Sequence, residues 1–206
     1  MSKPKPRITI VGLGLIGGSI GLALREAGVA SAVVGHDKEP SASAQAKKLG
    51  AVDKTDWNLI SACEESHLII LATPVSAIKP TMEAIGPYLQ PGCVIMDTAS
   101  LKEMVLAWAA ETLPEHVHFV GGDPIISQPI EADAGLKAAR TDLFQGGLFC
   151  LTPSVTADPE AVGLISDLVM ILGAKPLFLD PVEHDGLLAA VEHLPAIAAM
   201  ALLDTV

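Results

Sequence analysis

Short apolar runs, each about as long as a β-strand, alternate with helix-length segments along most of the 206-residue chain. The pattern predicts strands at residues 7–11, 32–35, 51–53, 68–72, 93–97, 117–120, 148–151 and 176–179. It predicts helices at residues 17–27, 41–49, 76–89 with a break near Gly86-Pro87, 101–112, 159–172, and from residue 182 onward. Strands that are apolar throughout and alternate with helices indicate an α/β fold. We expect a doubly wound, mostly parallel sheet of Rossmann type, covered on both faces.

The last part of the chain has a different pattern. The segment HLPAIAAMALLDTV is apolar on most sides, with an expected interruption at Leu194-Pro195. A helix of this kind needs a partner that covers it. We therefore expect residues 1–180 to form the α/β domain and residues 181–206 to begin a helical domain. That domain would continue in a missing C-terminal part or pack on another subunit.

Charge and cysteine content exclude several classes of protein. A net charge of −11 argues against nucleic-acid binding, because phosphate backbones attract basic surfaces. Cys63, Cys93 and Cys150 are widely spaced, odd in number and outside any CxxC motif, so neither a disulfide framework nor a metal site is expected. A cytoplasmic protein fits this cysteine usage.

Residues 8–24 are uncharged and superficially resemble a signal peptide or a membrane span. They hold five glycines, and Arg25-Glu26 follow without a cleavage pattern. We therefore expect no membrane segment here, because the glycines have a better explanation.

These glycines form a GxGxxG motif between the first strand and the first helix, Gly12-Leu13-Gly14-Leu15-Ile16-Gly17. In this context Gly12 permits a tight turn, Gly14 lets the backbone approach a pyrophosphate, and Gly17 allows close packing of helix on strand. The backbone N–H groups where the helix begins, around Leu15 and Ile16, would face the phosphates. The motif predicts a dinucleotide site.

Asp37 lies 20 positions after Gly17, at the end of the second predicted strand. A carboxylate there can accept hydrogen bonds from the adenosine ribose and would repel a 2′-phosphate, so NAD is expected rather than NADP. Lys38 could offset part of that repulsion. A solvated turn residue is the alternative interpretation of Asp37.

Ligands of open parallel sheets bind outside the carboxyl ends of the strands, where the strand order reverses. The expected strand ends carry Ala72, Thr73 and Pro74, which would line the nicotinamide side, and the segment from Asp97 to Ser100. Ser100 with Glu103 matches a capping box. Ser100 is thus predicted to be a helix N-cap, a substrate contact, or both.

Several segments, in this order, resemble the prephenate/arogenate dehydrogenase family along nearly the whole chain: GLGLIGGSIGLAL, LATPV, DTASLK, FVGGDP, LFCLTP and EHDGLLAAVEHLP. The resemblance implies an NAD-dependent dehydrogenase that oxidises a ring hydroxyl by hydride transfer and releases CO2, a step towards tyrosine. It also implies a small-molecule substrate and a homodimer built by a helical domain. By the same resemblance Ser100 would contact the substrate hydroxyl and His193 would lie beside the substrate. His184 matches a histidine that is as readily a structural residue at a helix start.

The family's GGHP histidine, which handles the hydroxyl proton, is replaced here by Asp123. A carboxylate can also accept a proton within hydrogen-bond reach. A dianionic substrate would meet a like charge, at a cost of roughly 1–4 kcal/mol at 4 Å. Asp123 is therefore either the catalytic base or a turn residue before Pro124.

Three functions stay open. The first is the family dehydrogenase activity. The second is a catalytically weakened NAD-binding relative with a regulatory or interaction role. The third is a reductase for another substrate on a similar scaffold, of the β-hydroxyacid dehydrogenase or pyrroline-carboxylate reductase type.

Overall fold

The computed structural model describes residues 5–127 and 135–203. Within them one sheet contains eight strands: β1 Arg7–Val11, β2 Ala32–His36, β3 Lys54–Thr55, β4 Leu68–Leu71, β5 Val94–Asp97, β6 His118–Ile125, β7 Leu148–Pro153 and β8 Lys175–Phe178. Their order is β3-β2-β1-β4-β5-β6-β7-β8. Neighbouring strands are parallel, but β6 and β7 pair antiparallel. The predicted α/β, mostly parallel sheet is confirmed.

The connections between strands are mainly helical. The helices are α1 Leu15–Ala27, α2 Pro40–Leu49, α3 Leu59–Cys63, α4 Val75–Ile85, α5 Glu103–Thr112, α6 Pro159–Ile171, α7 Pro181–Leu188 and α8 Leu194–Leu203. Short 3-10 turns occupy Gly86–Tyr88, where a break in the fourth helix was expected, and Gly135–Ala138.

Both faces of the sheet are buried, as the uninterrupted apolar strands predict. In β4, Leu68 and Ile70 belong to the core beneath α1 and α6. Ile69 and Leu71 belong to the opposite core, with residues of α4 and α5. Successive side chains of a strand point to opposite faces, so a fully apolar strand requires helices on both sides.

The third strand was predicted at residues 51–53, and this is wrong. Ala51 and Val52 are buried in the core, and the Asp53 carboxylate accepts a hydrogen bond from Val33 N at 2.7 Å. The strand instead begins at Lys54, the residue after Asp53. Helix α3 was not predicted, because five residues are too few for a helical period to be visible.

The helix was expected to be interrupted at Leu194-Pro195, but it continues. The five residues Ala189–His193 form a π-helical turn, which ends with Leu194 N bonded to Ala189 O. Pro195 follows in the first turn of α8, where a missing N–H costs little. The continuous helix Pro181–Leu203 contains an 18-residue window with a mean hydropathy of 1.8, so by length and composition alone it could cross a membrane.

Candidate active site

The carboxyl ends of the central strands meet at one edge of the sheet. Val11 of β1 lies beside Leu71 of β4, and Leu71 lies beside Asp97 of β5. The chain leaves β1 towards β2 on one side and reaches β4 on the other, so the strand order reverses at β1. A crevice for a ligand forms outside such a point.

The turn after β1 is held close to the neighbouring strands. Gly12 has φ +93°, and its N–H donates to His36 O at 2.9 Å. A Cβ on Gly12 would lie 2.4 Å from Ala72 O, and one on Gly17 would lie 2.0 Å from Gly12 O. Only glycine fits these two contacts. A Cβ on Gly14 would meet nothing within 4 Å, so the backbone there borders open space.

Helix α1 begins directly after Gly14, at Leu15. Gly18 N is bonded to Gly14 O, the first bond of the helical series. The N–H groups of Leu15, Ile16 and Gly17 precede it and have no acceptor in the helix. These amides and the positive end of the helix dipole can hold an anion.

Asp37 is held in place by backbone donors. Its Oδ2 accepts from Leu13 N at 2.8 Å and its Oδ1 accepts from Glu39 N at 2.9 Å. The carboxylate thus joins the end of β2 to the glycine turn. Each oxygen keeps a lone pair for a further donor.

A cleft of about 450 Å³ opens at this point of the sheet edge. Six of the nine residues predicted to contact a cofactor line it: Gly12, Gly14, Asp37, Ala72, Thr73 and Pro74. The other three, Leu15, Ile16 and Gly17, form the beginning of α1 rather than the wall of the cleft. The Thr73 hydroxyl in this wall is buried and lacks a hydrogen-bond partner among the described residues.

A buried ion pair lies at the carboxyl end of β5, the strand next to β4. Lys102 and Asp97 are both inaccessible to solvent, and Lys102 Nζ donates to Asp97 Oδ2 and, at 2.7 Å, to Gly122 O. Asp97 also accepts from Gly122 N at 3.1 Å and Ala99 N at 3.0 Å. Burial raises the pKa of Asp97, and the Lys102 ammonium acts in the opposite direction. The pair ties the end of β5 to β6.

Asp123 lies in β6, next to this ion pair, and is bonded to a histidine from α7. Its Oδ2 is 3.2 Å from Nε2 of His184, which is fully buried, while 8% of the Asp123 side chain is exposed. Burial raises the pKa of Asp123 to about 6, against the opposing effects of Lys102 and His184. The interpretation of Asp123 as a turn residue is wrong, because it is paired with Cys150 inside the antiparallel ladder.

The other nitrogen of His184 contacts a second carboxylate. Nδ1 lies 2.8 Å from Asp185 Oδ1. Asp185 also accepts from Lys102 N at 2.7 Å and Glu103 N at 3.0 Å, the first amides of α5. Partial burial would raise the pKa of Asp185, but the bonds from His184 and from these amides lower it.

This arrangement corrects the predicted capping box. Helix α5 begins at Glu103, and its N-cap residue is Lys102. The Lys102 side chain makes no capping hydrogen bond to this helix. Asp185 supplies the capping carboxylate from another helix. Ser100 lies in the half-buried segment between Asp97 and Lys102, and its hydroxyl makes no hydrogen bond within residues 5–127 and 135–203.

His193 is exposed in the π-helical turn and makes no hydrogen bond to Asp123 among the described residues, whereas His184 lies between Asp123 and Asp185. Sequence reasoning assigned no central role to Lys102, His184 or Asp185. Two features of the sequence could have indicated them. One is the Asp97 and Lys102 at the two ends of DTASLK, and the other is the HD pair, His184-Asp185, of EHDGLL.

Other depressions lie at the opposite edge of the sheet. One of them, of about 700 Å³, is lined in part by Val94 and His118, the first residues of β5 and β6. The amino ends of parallel strands are not where ligands of this fold bind. The carboxyl edge therefore remains the candidate active site.

The chain was compared with known families and proteins. Residues 20–177 match the family model described as prephenate dehydrogenase, nucleotide-binding domain. Prephenate dehydrogenase of Bacillus subtilis is 32% identical over 204 residues, covering 98% of this chain and 54% of that protein. Cyclohexadienyl dehydrogenase of Zymomonas mobilis is 30% identical over 199 residues, covering 97% of this chain and 67% of that protein.

Solved structures agree with these similarities. Prephenate dehydrogenase from A. aeolicus, crystallised in complex with hydroxyphenyl propionate and NAD+, superposes with a TM-score of 0.90 at 26% identity. The match covers 100% of this chain and 70% of that one. The chain spans about half the length of the first two curated relatives, from Bacillus subtilis and Lactococcus lactis.

Proposed function

The chain belongs to the prephenate dehydrogenase family, and on that premise we propose that it is an NAD-dependent dehydrogenase. Its substrate is prephenate, arogenate or a related cyclic hydroxy acid, and the product is an aromatic precursor of tyrosine. The observation that carries the proposal is the cleft at the reversal of strand order, with a glycine turn at one end and a buried proton-accepting carboxylate beyond the other.

The residues present fit a dinucleotide. Gly14 leaves open space beside the free amides of α1, where a pyrophosphate can approach. The unpaired Thr73 hydroxyl and the Ala72-Thr73-Pro74 backbone lie where the nicotinamide would bind. When bound, NAD would accept a hydride from the substrate.

The preference for NAD over NADP rests on Asp37. Its carboxylate lies in the cleft wall and is held by two backbone amides, so it can accept hydrogen bonds from ribose hydroxyls. A 2′-phosphate at this position would meet a like charge. Lys38 also lines the cleft and reduces that repulsion.

Beyond the β4 side of the cleft, on β6, Asp123 accepts the hydroxyl proton of the substrate. The carbinol C–H leaves as hydride while the O–H proton passes to the carboxylate, and a carbonyl forms. Loss of the ring carboxylate as CO2 then sends its electron pair into the ring, and the resulting phenolate takes a proton back. Ser100 contacts the reacting oxygen and His193 lies beside the substrate, as the family resemblance implies.

The direct test follows the absorbance of reduced cofactor when the purified protein is incubated with NAD and each acid. Turnover of either substrate supports the proposal, and no turnover with both acids contradicts it. NAD binding measured by calorimetry separates loss of the cofactor site from loss of chemistry.

A catalytically weakened, NAD-binding relative is the second candidate function. The observation that favours it is that Asp123 is largely buried and already bonded to His184. NAD binding without turnover, unrepaired by Asp123→His, would support it. Turnover gained in that variant would show an intact scaffold with a changed proton acceptor.

We infer that the protein forms a homodimer through the exposed helix Pro181–Leu203. The large apolar side chains of α8 support this, since Leu194, Ile197, Met200, Leu202 and Leu203 are 59–79% exposed. Covering such a face on a second copy removes it from water. Light scattering at micromolar concentration should give twice the chain mass, and a monomer would contradict the dimer.

The compartment follows from the same proposal. A cytoplasmic protein is supported by three free, buried cysteines, which need no oxidising environment. The partners are then a small-molecule substrate and a second subunit, without a membrane. Flotation with liposomes tests this, because a membrane helix at 181–203 would carry the protein to the top of the gradient.

A further inference from the structure

His184 lies between two carboxylates, and this limits where protons can be. Its Nε2 faces Asp123 at 3.2 Å and its Nδ1 faces Asp185 at 2.8 Å. A neutral imidazole has one N–H donor, so both contacts become hydrogen bonds only when the three side chains gain one more proton, and until then one ring nitrogen faces its carboxylate without a proton. The three side chains therefore form one proton-sharing chain from β6 to the first turn of α5.

The two ends of this chain differ. Asp185 accepts three hydrogen bonds, from His184 and from the amides of Lys102 and Glu103, and so is held as the carboxylate. Asp123 faces a single partner, His184 Nε2, through its Oδ2, and its Oδ1 has no bond within the described residues. Since part of Asp123 stays exposed, that oxygen can reach an incoming hydroxyl.

We propose that the proton acceptor of this protein is the Asp123–His184 pair, in which Asp123 takes the substrate hydroxyl proton and passes a proton to His184 Nε2. The inference rests on the proposed dehydrogenase function. In the resting state Nδ1–H donates to Asp185 and Nε2 has no proton. When the substrate O–H bond breaks, the proton reaches Asp123, the Nε2–H bond forms, and the imidazolium lies between two carboxylates. The reverse transfer returns the proton to the phenolate.

The sharing of the proton between Asp123 and His184 compensates for the absence of the histidine that the family resemblance implies at position 123. A buried carboxylate without His184 behind it would become neutral after one transfer and would keep the proton. With His184 behind it, the positive charge forms between Asp123 and Asp185, where both ions are hydrogen-bonded. His184 is therefore a positioning residue and a proton relay that acts through Asp123.

Other charged or titratable groups also surround the pair. They are Lys102 beside β5, Cys150 on β7, Glu192 in the π-helical turn, Asp97 at the end of β5 and Asp185 on α7. Lys102 lowers the pKa of Asp123 and Glu192 raises it. All except His184 stay unchanged in the test below, so a shift in the pH profile reports on the pair.

The test compares kcat and the pH dependence of kcat/KM in wild type and His184→Gln. Glutamine can still donate a hydrogen bond to Asp123 but cannot take its proton. We expect kcat to fall about 100-fold, within the range for general base catalysis, and the acid limb of the profile to move to higher pH. The limb moves upward because His184 lowers the pKa of Asp123.

The matched control is His116→Gln. His116 bonds a backbone oxygen, Leu89 O, at 3.1 Å and lies near the opposite edge of the sheet. It should leave both kcat and the acid limb unchanged. If His184→Gln lowers the yield of folded protein but leaves the limb of the folded fraction in place, the role of His184 is structural and the proposal is overturned.

A second measurement leaves His184 in place. In 15N-histidine spectra, the His184 ring nitrogens should shift with the 13C carboxyl signal of Asp123 in one common titration, which Asp123→Asn removes. Independent titrations would overturn the relay. If wild type turns over substrate and folded His184→Gln keeps the acid limb of its pH profile in place, only the relay is refuted. If wild type shows no turnover, the dehydrogenase function is refuted, and the relay with it.

Discussion

Along the carboxyl edge of the sheet, the binding groups beside β1 and α1 are backbone amides, whereas the groups beside β5 and β6 are charged side chains buried in the protein. The first group comes from one stretch, Gly12 to Gly17, with Asp37 bonded to it. The second comes from three separate parts of the chain: Asp97 with Lys102, Asp123, and His184 with Asp185. A local turn is determined by what each residue allows its own backbone. A buried charge is stable only if its partners arrive from elsewhere.

The two ends should therefore respond differently to substitution. Changes in the glycine turn that avoid a clash should alter binding without altering stability. Changes in the charged cluster should alter stability, because removal of one partner leaves a buried group unpaired. The following predictions test that difference.

The largest effect is expected for Lys102→Met. The substitution leaves the Asp97 carboxylate buried without its cation, and we expect unfolding free energy to fall by about 3–5 kcal/mol. Urea unfolding measures it. Lys79→Met is the control, because Lys79 forms an exposed ion pair with Glu111, and it should change the midpoint little. Equal losses in both variants would contradict the prediction.

The second effect concerns pH and Asp123. Its pKa of about 6, against 3.8 for an ordinary aspartate, means that the folded state holds a proton which the unfolded state releases. This contribution to stability is present below about pH 4 and is lost as pH rises through 6, at most about 3 kcal/mol. Urea midpoints of wild type should fall relative to Asp123→Asn across this range. A urea midpoint of wild type that rises relative to that of Asp123→Asn as the pH increases would refute the prediction.

The third effect is on cofactor binding. Gly14→Ala places a methyl group in open space, so stability should not change, but the group would occupy the approach of the pyrophosphate. We expect NAD affinity to fall at least tenfold, about 1.4 kcal/mol or more. Calorimetry and thermal unfolding measure the two quantities. Gly163→Ala, equally free of clashes but in α6, should leave NAD binding intact and slightly stabilise the helix.

The smallest effect is on cofactor choice. Asp37→Asn weakens the hydrogen bonds that this side chain accepts from ribose hydroxyls, so NAD affinity should fall by about tenfold. It also removes the charge that would repel a 2′-phosphate, so NADP affinity should change less. Titration with both cofactors measures the ratio. Glu39→Gln leaves the Glu39 backbone donor to Asp37 in place and should preserve the NAD preference. An unchanged ratio in Asp37→Asn would remove Asp37 from the explanation.

The sequence alone was sufficient for the sheet, most helices and the glycine turn, because each depends on a short pattern. The fully apolar run at Leu68–Leu71 predicts a strand buried on both faces. The spacing of Gly12, Gly14 and Gly17 predicts a turn between strand and helix. The two-residue β3 was placed wrongly and the five-residue α3 was not predicted, because so few residues do not repeat a hydrophobic period often enough to reveal it.

Only the tertiary structure decided the roles of the charged residues. Ser100 and Glu103 match a capping box in sequence, yet Asp185, more than 80 positions away, caps α5. The HD pair marks His184 in the sequence without showing its partners, and only the fold places it between two carboxylates. Local patterns determine backbone conformation through sterics and burial. The protonation and pairing of a buried side chain depend on which distant groups lie within about 3 Å of it, and the folded chain alone brings those groups together.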